Sequence, residues 1–531
     1  MGWRSVVTKS KSYPMAEAVR DAYQRGEEDE ALEPLVLVDE FGNPLGRIQN
    51  GDYVIFYDLR GEREIELTRA FVDEAFPHFD RTAMAVPFVT MIEYAQDLPV
   101  KVAFPPEGEV RNTLSEVVSR HGLQQIKVSE TEKSIHVSYF LNGKREAPFP
   151  GERLVAVPSP DVDNYAAMPE MSAGAVAGAV VDALHDPELD LIVANFVNVD
   201  VVGHIEDREA VIRAVEEVDR RIGEVVAAAQ VAGVTSLITA DHGTVERWLY
   251  PDGTVDTGHT DSLVPFVLVD PRLSGVMLRE GGALTDVAPT ILKLLNLPQP
   301  ADMTGRSLIS IGLPESRTRV LLVIADGWGS SDETFGNLIL EAETPVMDAL
   351  LETCTNTRLA AAGKPVGMPP GTVGNSEAGH SHIGAGRRIP ADRVRIDEAI
   401  EDGSFFQNEA LLWAMRGAKR DGGRLHLLGI VSFYSSHGSV AHLDALLEMT
   451  RREGVPEVYH HAMLGRRGER VGSGAHYIEG VEKEMDRLGV GIEVSVIGRF
   501  WSLDREENWD RIEKTYRWLV EGRGRPVSRS Y

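Results

Sequence analysis

Short apolar runs alternate with longer amphipathic stretches along this chain, and no other feature of the sequence constrains the fold as strongly. Residues 191–196, 236–240, 266–269 and 319–324 form short apolar runs, which are typical of buried strands. Between the first two runs, apolar residues recur at helical spacing, at Val211, Val215, Val218, Ile222 and Val225. Strands that alternate with helices predict an α/β fold with largely parallel sheets and helices on both faces.

A second set of apolar runs lies at residues 51–59, 425–432, 458–464 and 492–500. Proline-bearing segments at 103–107 and 388–391 separate this set from the first, and we interpret them as linkers. The polar, breaker-rich segment 311–319 is predicted to be a connector. Because 531 residues exceed what one hydrophobic core holds, two or more domains are expected.

The charge balance and the cysteine count narrow the class of protein. Acidic residues outnumber basic ones 82 to 54, a net charge of -28, which argues against a nucleic-acid or anionic-membrane partner. An anionic substrate must therefore be bound by a local basic or metal-lined pocket. The single cysteine, Cys354, cannot form an intramolecular disulfide, and no apolar segment has the length of a signal peptide or a membrane span. We expect a soluble protein of the reducing cytoplasm.

Acidic and histidine side chains follow several predicted strands, where ligands bind in open α/β sheets. These residues are Asp200, His204, Asp241, His242, His259 and Asp326. Each alone is more often an ordinary turn or cap residue. Together, three carboxylates and three imidazoles predict a site for two metal ions, and this donor mixture favours Mn²⁺, Zn²⁺ or iron over Ca²⁺ or Mg²⁺.

A glycine-rich segment, residues 366–387, contains Ser376. We expect this serine at or near the start of a helix, where backbone N–H groups and the helix dipole favour a phosphate. The alternative is an N-cap serine on a glycine-rich loop. A neighbouring metal ion would lower the pKa of the hydroxyl and make Ser376 a nucleophile. The sequence therefore predicts a two-metal phosphoryl-transfer enzyme.

Basic residues form a third candidate group: Arg60, Arg63, Lys133, Arg467, Arg499 and Arg505. Each alone is more often solvated surface. Against a strongly acidic background, arginines at strand ends suit bidentate binding of phosphate and carboxylate groups.

Several motifs together resemble those of the cofactor-independent phosphoglycerate mutases of the alkaline phosphatase superfamily. The motifs are Asp326-Gly-Trp-Gly329, Gly374-Asn-Ser-Glu377, Asn198-Val-Asp-Val-Val-Gly-His204, Ala240-Asp-His-Gly243 and His259-Thr260. Further similar segments extend the resemblance over nearly the whole chain. It implies interconversion of 3-phosphoglycerate and 2-phosphoglycerate through a phosphoserine, without bisphosphoglycerate.

The resemblance also implies roles for individual residues. One metal ion would be bound by Asp200, His204 and His259, and the other by Asp326, Ser376, Asp241 and His242. Two Mn²⁺ ions are expected, with Zn²⁺, Co²⁺ or Mg²⁺ as alternatives. Lys133 would stabilise the transferring phosphoryl group, and His437 would act as a general acid or base. The charged groups of a small phosphorylated carboxylic acid would be held by Arg60, Arg63, Arg467, Arg499 and Arg505. A monomer is expected.

The order of these motifs is reversed relative to the family, which implies a circular permutation. A phosphatase-like metal-binding domain is then expected at residues 108–390. A transferase-like substrate domain would be assembled from both chain ends, residues 1–107 and 391–531.

Two segments depart from the family pattern. Residues 432–439 keep one histidine but carry Phe433 in place of an acid, and residues 465–468 end in Gly468 in place of a carboxylate that grips the glycerate hydroxyls. Glu469 is one residue along and is a candidate replacement. Three other readings therefore stay open: a mutase or phosphotransferase acting on a related phospho- or phosphono-carboxylate, a metal-dependent phosphatase, and a non-catalytic scaffold.

Overall fold

Two units make up the structure, a computed structural model that describes residues 12–106, 108–273, 275–311, 317–433, 435, 437–465, 470 and 472–528. The terminal unit comprises Met1–Pro106 and Arg395–Tyr531, and the central unit comprises Glu107–Val394. Each unit contains a mixed sheet in which most strand pairs are parallel. The predicted two-domain α/β fold class is thus confirmed.

The strands, in chain order, have the following bounds. They are β1 (Leu35–Val38), β2 (Tyr53–Phe56), β3 (Phe88–Ile92), β4 (Lys101–Phe104), β5 (Gln124–Glu130), β6 (Glu152–Val157), β7 (Leu189–Phe196), β8 (Thr235–Thr239), β9 (Val264–Val269), β10 (Met277–Leu278), β11 (Gly282–Ala283), β12 (Ile309–Ile311), β13 (Val320–Ala325), β14 (Thr355–Ala360), β15 (Leu425–Ile430), β16 (Val458–Leu464), β17 (Ile492–Gly498) and β18 (Arg525–Ser528).

The α-helices have the following bounds. They are α1 (Pro14–Gln24), α2 (Gly61–Val72), α3 (Leu114–Arg120), α4 (Ala173–Leu184), α5 (Asn198–Gly203), α6 (Arg208–Val231), α7 (Val287–Leu294), α8 (Leu338–Glu341), α9 (Pro345–Thr353), α10 (Ser376–Ala385), α11 (Asp392–Asp402), α12 (Glu409–Asp421), α13 (Val440–Glu453), α14 (Gly474–Leu488), α15 (Arg499–Ser502) and α16 (Trp509–Glu521). None of these described helices is both long enough and apolar enough to cross a lipid bilayer.

The central sheet has the order β11-β14-β9-β8-β13-β7-β5-β6, and only β9 runs antiparallel to its neighbours. Strand β13 is buried along its whole length and pairs in parallel with β7 and β8. The apolar stripe of α6 is also buried, as its helical spacing predicts. Because β7, β8 and β13 are parallel neighbours, the residues that follow them lie together at one edge of the sheet.

The terminal sheet has the order β18-β1-β17-β16-β15-β2-β3-β4, and only β1 and β17 pair antiparallel. Strand β2, from the N-terminal part of the chain, pairs in parallel with β15, from the C-terminal part. The two chain segments therefore share one sheet. The loops that follow β2, β15 and β17 again meet at the carboxyl ends of parallel strands.

The structure refines several predicted boundaries. The run predicted at residues 51–59 forms a strand only over Tyr53–Phe56, and Asp52 before it accepts backbone hydrogen bonds from Gln49 and Arg424. The predicted linker 103–107 begins inside β4, whose Val102 pairs with Thr90 of β3. In the predicted connector 311–319, Ile311 ends β12, and residues 312–316 lie outside the described residues.

Candidate active site

Three aspartates meet at the carboxyl edge of the central sheet. Asp326 directly follows β13, Asp241 lies two residues beyond β8, and Asp200 lies in α5 just after β7. All three are buried, with 0%, 0% and 3% of their surface exposed. Gly327 allows this approach: its φ is +82°, and a Cβ there would lie 2.8 Å from the Asp200 backbone.

Two of the predicted histidines lie against Asp200. His259 Nε2 is 3.1 Å from Asp200 Oδ1, and His242 Nε2 is 3.6 Å from the same oxygen. His204 Nε2 is 3.3 Å from Asp200 Oδ1 and 3.2 Å from His259 Nε2, at the more exposed side of the cluster. The structure thus brings together all six acidic and histidine residues that the sequence singled out in this unit.

A further candidate metal-ligating side chain, His380, was not predicted from the sequence. Its Nδ1 lies 3.2 Å from Asp241 Oδ2, and its Nε2 accepts a hydrogen bond from Asn195 Nδ2 at 3.0 Å. His380 is four residues after Ser376 in α10, so both side chains share one face of the helix. That i, i+4 spacing is the signal that would have found it.

Ser376 is the first residue of α10, as predicted, and the N-cap is Asn375, whose side chain accepts a hydrogen bond from the Ala378 N–H. The alternative of an N-cap serine is therefore wrong. Ser376 Oγ lies 3.0 Å from His242 Nε2 and 3.4 Å from Asp326 Oδ1. The hydroxyl thus lies both among the candidate ligands and at a helix N-terminus, where the helix dipole stabilises negative charge.

Lys133 is the cation nearest to this hydroxyl. It ends a 3₁₀ turn after β5, and its Nζ donates to Ser376 Oγ at 2.5 Å, to Asp200 Oδ2 at 2.6 Å and to Asp326 Oδ1 at 3.1 Å. Burial favours a lower pKa for this ammonium, but the charges of Asp326, Asp200 and Asp241 outweigh it and raise the pKa. Lys133 is therefore charged at neutral pH.

The cluster still has more negative charge than Lys133 can balance. Burial favours a lower pKa for His242, yet Asp241, Asp200 and Asp326 raise it to about 10. Asp241 Oδ2 is buried and accepts no hydrogen bond from the described residues, although His380 Nδ1, which contacts the Ser376 carbonyl, lies 3.2 Å away. The cluster thus contains three buried carboxylates, and one of their oxygens lacks a hydrogen-bond donor. Such an environment favours the binding of additional cations.

The donor set fits a pair of divalent ions. Two groups offer ligand atoms within 4.8 Å of one another: Asp200, His242 and His259, and Asp241, Asp326 and His380. Mixed oxygen and nitrogen donors suit divalent transition metals. The geometry therefore supports bound divalent metal ions, and Ser376 Oγ adjoins the donors of both groups.

A second cluster of predicted residues lies in the terminal unit. Glu62 links two of them, since it accepts from Arg60 Nη2 at 3.2 Å and from Arg505 Nη1 at 2.9 Å. Arg63 Nη1 donates to the Leu503 carbonyl at 3.2 Å, and Arg499 Nη2 donates to His437 Nε2 at 3.4 Å. We refer to Arg60, Arg63, Arg499 and Arg505 as the arginine cluster. The fifth predicted arginine, Arg467, lies outside the described residues, as do Gly468 and Glu469.

Two buried carboxyl groups beside His437 were not predicted as site residues. Glu64, in the first turn of α2, has Oε1 2.7 Å from His437 Nδ1. Asp58, two residues after β2, lies next to Glu64, and the three side chains form a third group with ligand-type atoms within 4.8 Å. Asp58 follows its strand as Asp326 follows β13, which is the pattern that could have identified it.

Comparison with protein families gives two matches. Residues 43–299 match the Metalloenzyme superfamily, and residues 396–530 match a family described as the BPG-independent PGAM N-terminus. Over these residues the chain is thus similar to a metalloenzyme superfamily and to the N-terminal part of the BPG-independent phosphoglycerate mutases.

Similar proteins carry the same name. The chain is 47% identical over 299 residues to the 2,3-bisphosphoglycerate-independent phosphoglycerate mutase of Moorella thermoacetica, covering 56% of this chain and 57% of the relative. It is 45% identical over 301 residues to the enzyme so named from Synechococcus elongatus, covering 55% of each. The chain thus spans only a little more than half the length of the curated relatives it matches. A solved Leishmania mexicana phosphoglycerate mutase, determined at low cobalt concentration, is 34% identical with a TM-score of 0.36, covering 52% of this chain and 53% of that one.

Proposed function

We propose that this chain is a metal-dependent phosphoglycerate mutase that interconverts 3-phosphoglycerate and 2-phosphoglycerate through a phosphoserine at Ser376, without bisphosphoglycerate. The observation that carries the proposal is the position of Ser376 Oγ. It lies at the N-terminus of α10, 2.5 Å from Lys133 Nζ and 3.0 Å from His242 Nε2, inside a donor set for two cations. The names of the relatives support the choice of substrate.

In the first half of the reaction, the bond between the substrate oxygen and phosphorus breaks and a bond from Ser376 Oγ to phosphorus forms. The electron pair of the broken bond stays with the substrate oxygen, which takes up the proton that leaves Ser376 Oγ. Lys133 contributes a fixed ammonium that interacts with the phosphoryl oxygens, and the N–H groups of the first turn of α10 favour the same negative charge. Such electrostatic stabilisation accounts for most of the catalysis in phosphoryl transfer.

Two divalent ions complete this half of the proposal. Asp200, His204 and His259 would hold one, and Asp241, His242, Asp326 and Ser376 the other, with His380 beside the second set. When bound, divalent ions lower the pKa of a serine hydroxyl and neutralise phosphoryl oxygens. We propose Mn²⁺ because carboxylate and imidazole donors are mixed in the cluster.

The second half of the reaction needs groups that hold the glycerate while its other hydroxyl attacks the phosphoserine. We assign the binding of the substrate carboxylate to the arginine cluster, whose guanidinium groups suit bidentate contact with carboxylates. The substrate is thus proposed to be a small phosphorylated carboxylic acid, in keeping with the chain's net charge of -28, which leaves local basic groups to bind it.

We also propose that the chain is circularly permuted relative to the family. The match described as an N-terminus, residues 396–530, follows the Metalloenzyme match, residues 43–299, along this chain. The terminal unit is built from both chain ends, and the central unit is continuous. A transferase-like role for the first unit and a phosphatase-like role for the second are part of the same proposal.

One observation favours a second candidate substrate. Phe433, in the loop that carries His437, has 75% of its surface exposed. Phe433 also stands where the family pattern has an acid, and this change favours a related phospho- or phosphono-carboxylate.

The test is incubation of metal-loaded protein with 3-phosphoglycerate, with 2-phosphoglycerate and free phosphate followed together by phosphorus NMR. Accumulation of 2-phosphoglycerate with little phosphate is the expected result, and it should be fastest with Mn²⁺ among Mn²⁺, Zn²⁺, Co²⁺ and Mg²⁺. Release of phosphate alone would identify a phosphatase. Turnover only with a related acid would support the second candidate substrate.

A further inference from the structure

Asp58 and Glu64 are two neighbouring carboxyl groups in the interior of the terminal unit. Both side chains are completely buried. Among the residues that the structure describes, neither forms an ion pair with lysine or arginine, and the partner of Glu64 is His437. Two buried carboxylates in contact cannot both be ionised, so this pair retains a proton at neutral pH.

The hydrogen bonds indicate which carboxyl group holds the proton. Glu64 accepts from the Arg63 backbone N–H at 3.1 Å and contacts His437 Nδ1 at 2.7 Å. Asp58 Oδ1 accepts from the Ile430 N–H at 2.7 Å, but Asp58 Oδ2 has no donor among the described residues. If Asp58 is protonated, its buried carboxyl group is no longer without a partner, because its O–H can donate to the adjacent Glu64 carboxylate.

The tautomer of His437 follows from its other contact. Arg499 Nη2 lies 3.4 Å from His437 Nε2, and a guanidinium group can only donate. Nε2 therefore carries the lone pair, and Nδ1–H donates to Glu64. The unprotonated nitrogen is the one that faces Arg499 of the arginine cluster.

We propose that Asp58 and Glu64 are positioning residues that hold His437 as the Nδ1–H tautomer, so that His437 Nε2 accepts the proton of a substrate hydroxyl. This inference rests on the proposed function. In the step, the hydroxyl O–H bond breaks, the proton binds to Nε2, and the electron pair stays with the oxygen, which forms the new bond to phosphorus. The bond from phosphorus to Ser376 Oγ breaks, its electron pair stays with Oγ, and Oγ regains a proton as His437 releases the one it accepted.

The titration of the group sets the pH above which this arrangement forms. Burial raises the pKa of Asp58 well above its usual range, and the charge of Glu64 raises it further. Burial also raises the pKa of Glu64 to about 8, although the Arg63 N–H and Asp58 oppose that rise. Burial, opposed by Asp58, lowers the pKa of His437 to about 4, so its imidazole is neutral at physiological pH. The other titratable or charged groups nearby are Tyr57, Tyr94, Arg60, Arg63 and Arg499.

The protonation state of Glu64 determines how turnover depends on pH. Below about pH 8, a protonated Glu64 donates to Nδ1 and leaves the hydrogen on Nε2, which is then not a base. Above that pH, ionised Glu64 accepts from Nδ1–H and Nε2 is basic. The hydrogen bonds in the structure correspond to the ionised form. Turnover is therefore expected to rise as pH increases through about 8.

The same three side chains could also be taken for a cation site, since their ligand-type atoms lie within 4.8 Å of one another. The surrounding charge opposes that reading. Arg60, Arg63 and Arg499 act electrostatically on His437 and lower its pKa. A retained proton satisfies the carboxyl pair without bringing a second positive charge into this environment.

The test compares Glu64→Gln, Asp58→Asn and the matched control Glu66→Gln, which removes another buried glutamate of α2. Glu64→Gln is expected to lower kcat about 100-fold, the typical contribution of a general base, with KM changed less than about threefold. Asp58→Asn keeps a neutral donor and should lower kcat less than Glu64→Gln does, whereas the control Glu66→Gln should retain activity within about threefold of the wild type. The rise in turnover near pH 8 should disappear in Glu64→Gln alone.

A second readout does not depend on turnover. In protein labelled with ¹⁵N-histidine, the His437 signals, assigned with His437→Gln, should change from the Nε2–H to the Nδ1–H tautomer near pH 8 in the wild type and not in Glu64→Gln. If the wild type makes no 2-phosphoglycerate but shows this change, the proposed function fails and the positioning by Glu64 stands. If Glu64→Gln showed the same change of tautomer near pH 8 as the wild type, the inference would be overturned, and the loss of one equivalent of bound metal in that variant would overturn it as well.

Discussion

The central and terminal units both place acidic side chains at the carboxyl ends of parallel strands, yet the two sets of carboxyl groups differ in state. In the central unit, Asp200 and Asp326 are held ionised by Lys133 and His242 and their pKa values are lowered despite burial. In the terminal unit, Asp58 and Glu64 have raised pKa values because their burial is not offset by a direct ion pair with any lysine or arginine that the structure describes. Acidic side chains near strand ends thus form a candidate cation site in the central unit and a carboxyl pair that holds a proton in the terminal unit. The difference comes from the cationic side chains that contact them in the central unit.

The ligands expected for the two units differ accordingly. The central cluster has a surplus of negative charge and open donor atoms, which suits divalent cations. The terminal cluster presents guanidinium groups over a largely neutral interior, which suits an anion.

The largest expected effect is on the nucleophile. Ser376→Ala should lower the mutase rate by at least about 10⁴-fold, because no hydroxyl remains to carry the phosphoryl group. Ser381→Ala, in the same helix and also buried, is the matched control and should stay within about threefold of the wild type. Coupled assay of 2-phosphoglycerate formation measures both, and comparable activity of the two variants would remove Ser376 from the mechanism.

A smaller but still large effect is expected for the cation of the central unit. Lys133→Met should lower kcat about 10²- to 10³-fold, because one fixed charge near the transferring phosphoryl group is lost. The metal-free variant should also unfold at a lower temperature than the metal-free wild type, since the carboxylates lose their direct partner. Lys364→Met, at an exposed lysine of the same unit, should change neither quantity.

The smallest effects are expected for the arginine cluster, in which Arg499 is less exposed to solvent than Arg505. Arg499→Met should raise KM about 10- to 100-fold, because a largely buried guanidinium beside His437 makes a charged hydrogen bond. Arg505→Met should raise KM only about twofold, because this side chain is 45% exposed and pairs with the exposed Glu62. Steady-state kinetics of both variants measure KM, and a larger rise in KM for Arg505→Met than for Arg499→Met would contradict this ranking.

Much of the central site could be predicted from the sequence because its residues follow strands directly. Asp241 and Asp326 follow apolar runs whose β identity is clear, and parallel pairing then brings them together. Ser376 was predicted at a helix start from its glycine-rich context, and it begins α10. Local sequence sufficed where strand ends and a helix terminus fix the positions of the side chains.

The carboxyl pair could not be predicted because its properties arise from tertiary burial. Glu64 lies in the first turn of α2, where a glutamate ordinarily interacts with the helix dipole in solvent. It becomes a buried partner of His437 only because the 437 loop packs against α2. His380 was missed for a related reason, since its contact with Asp241 depends on how α10 packs against the end of β8.

The most direct test of the central claim is the site of phosphorylation. Metal-loaded protein is mixed with 3-phosphoglycerate, quenched within milliseconds to seconds, digested and analysed by mass spectrometry. We predict a single phosphoryl group on Ser376, absent from Ser376→Ala and present in Glu64→Gln. A phosphoryl group on another residue, or turnover with no covalent phosphoprotein at any time point, would contradict the proposed phosphoserine mechanism.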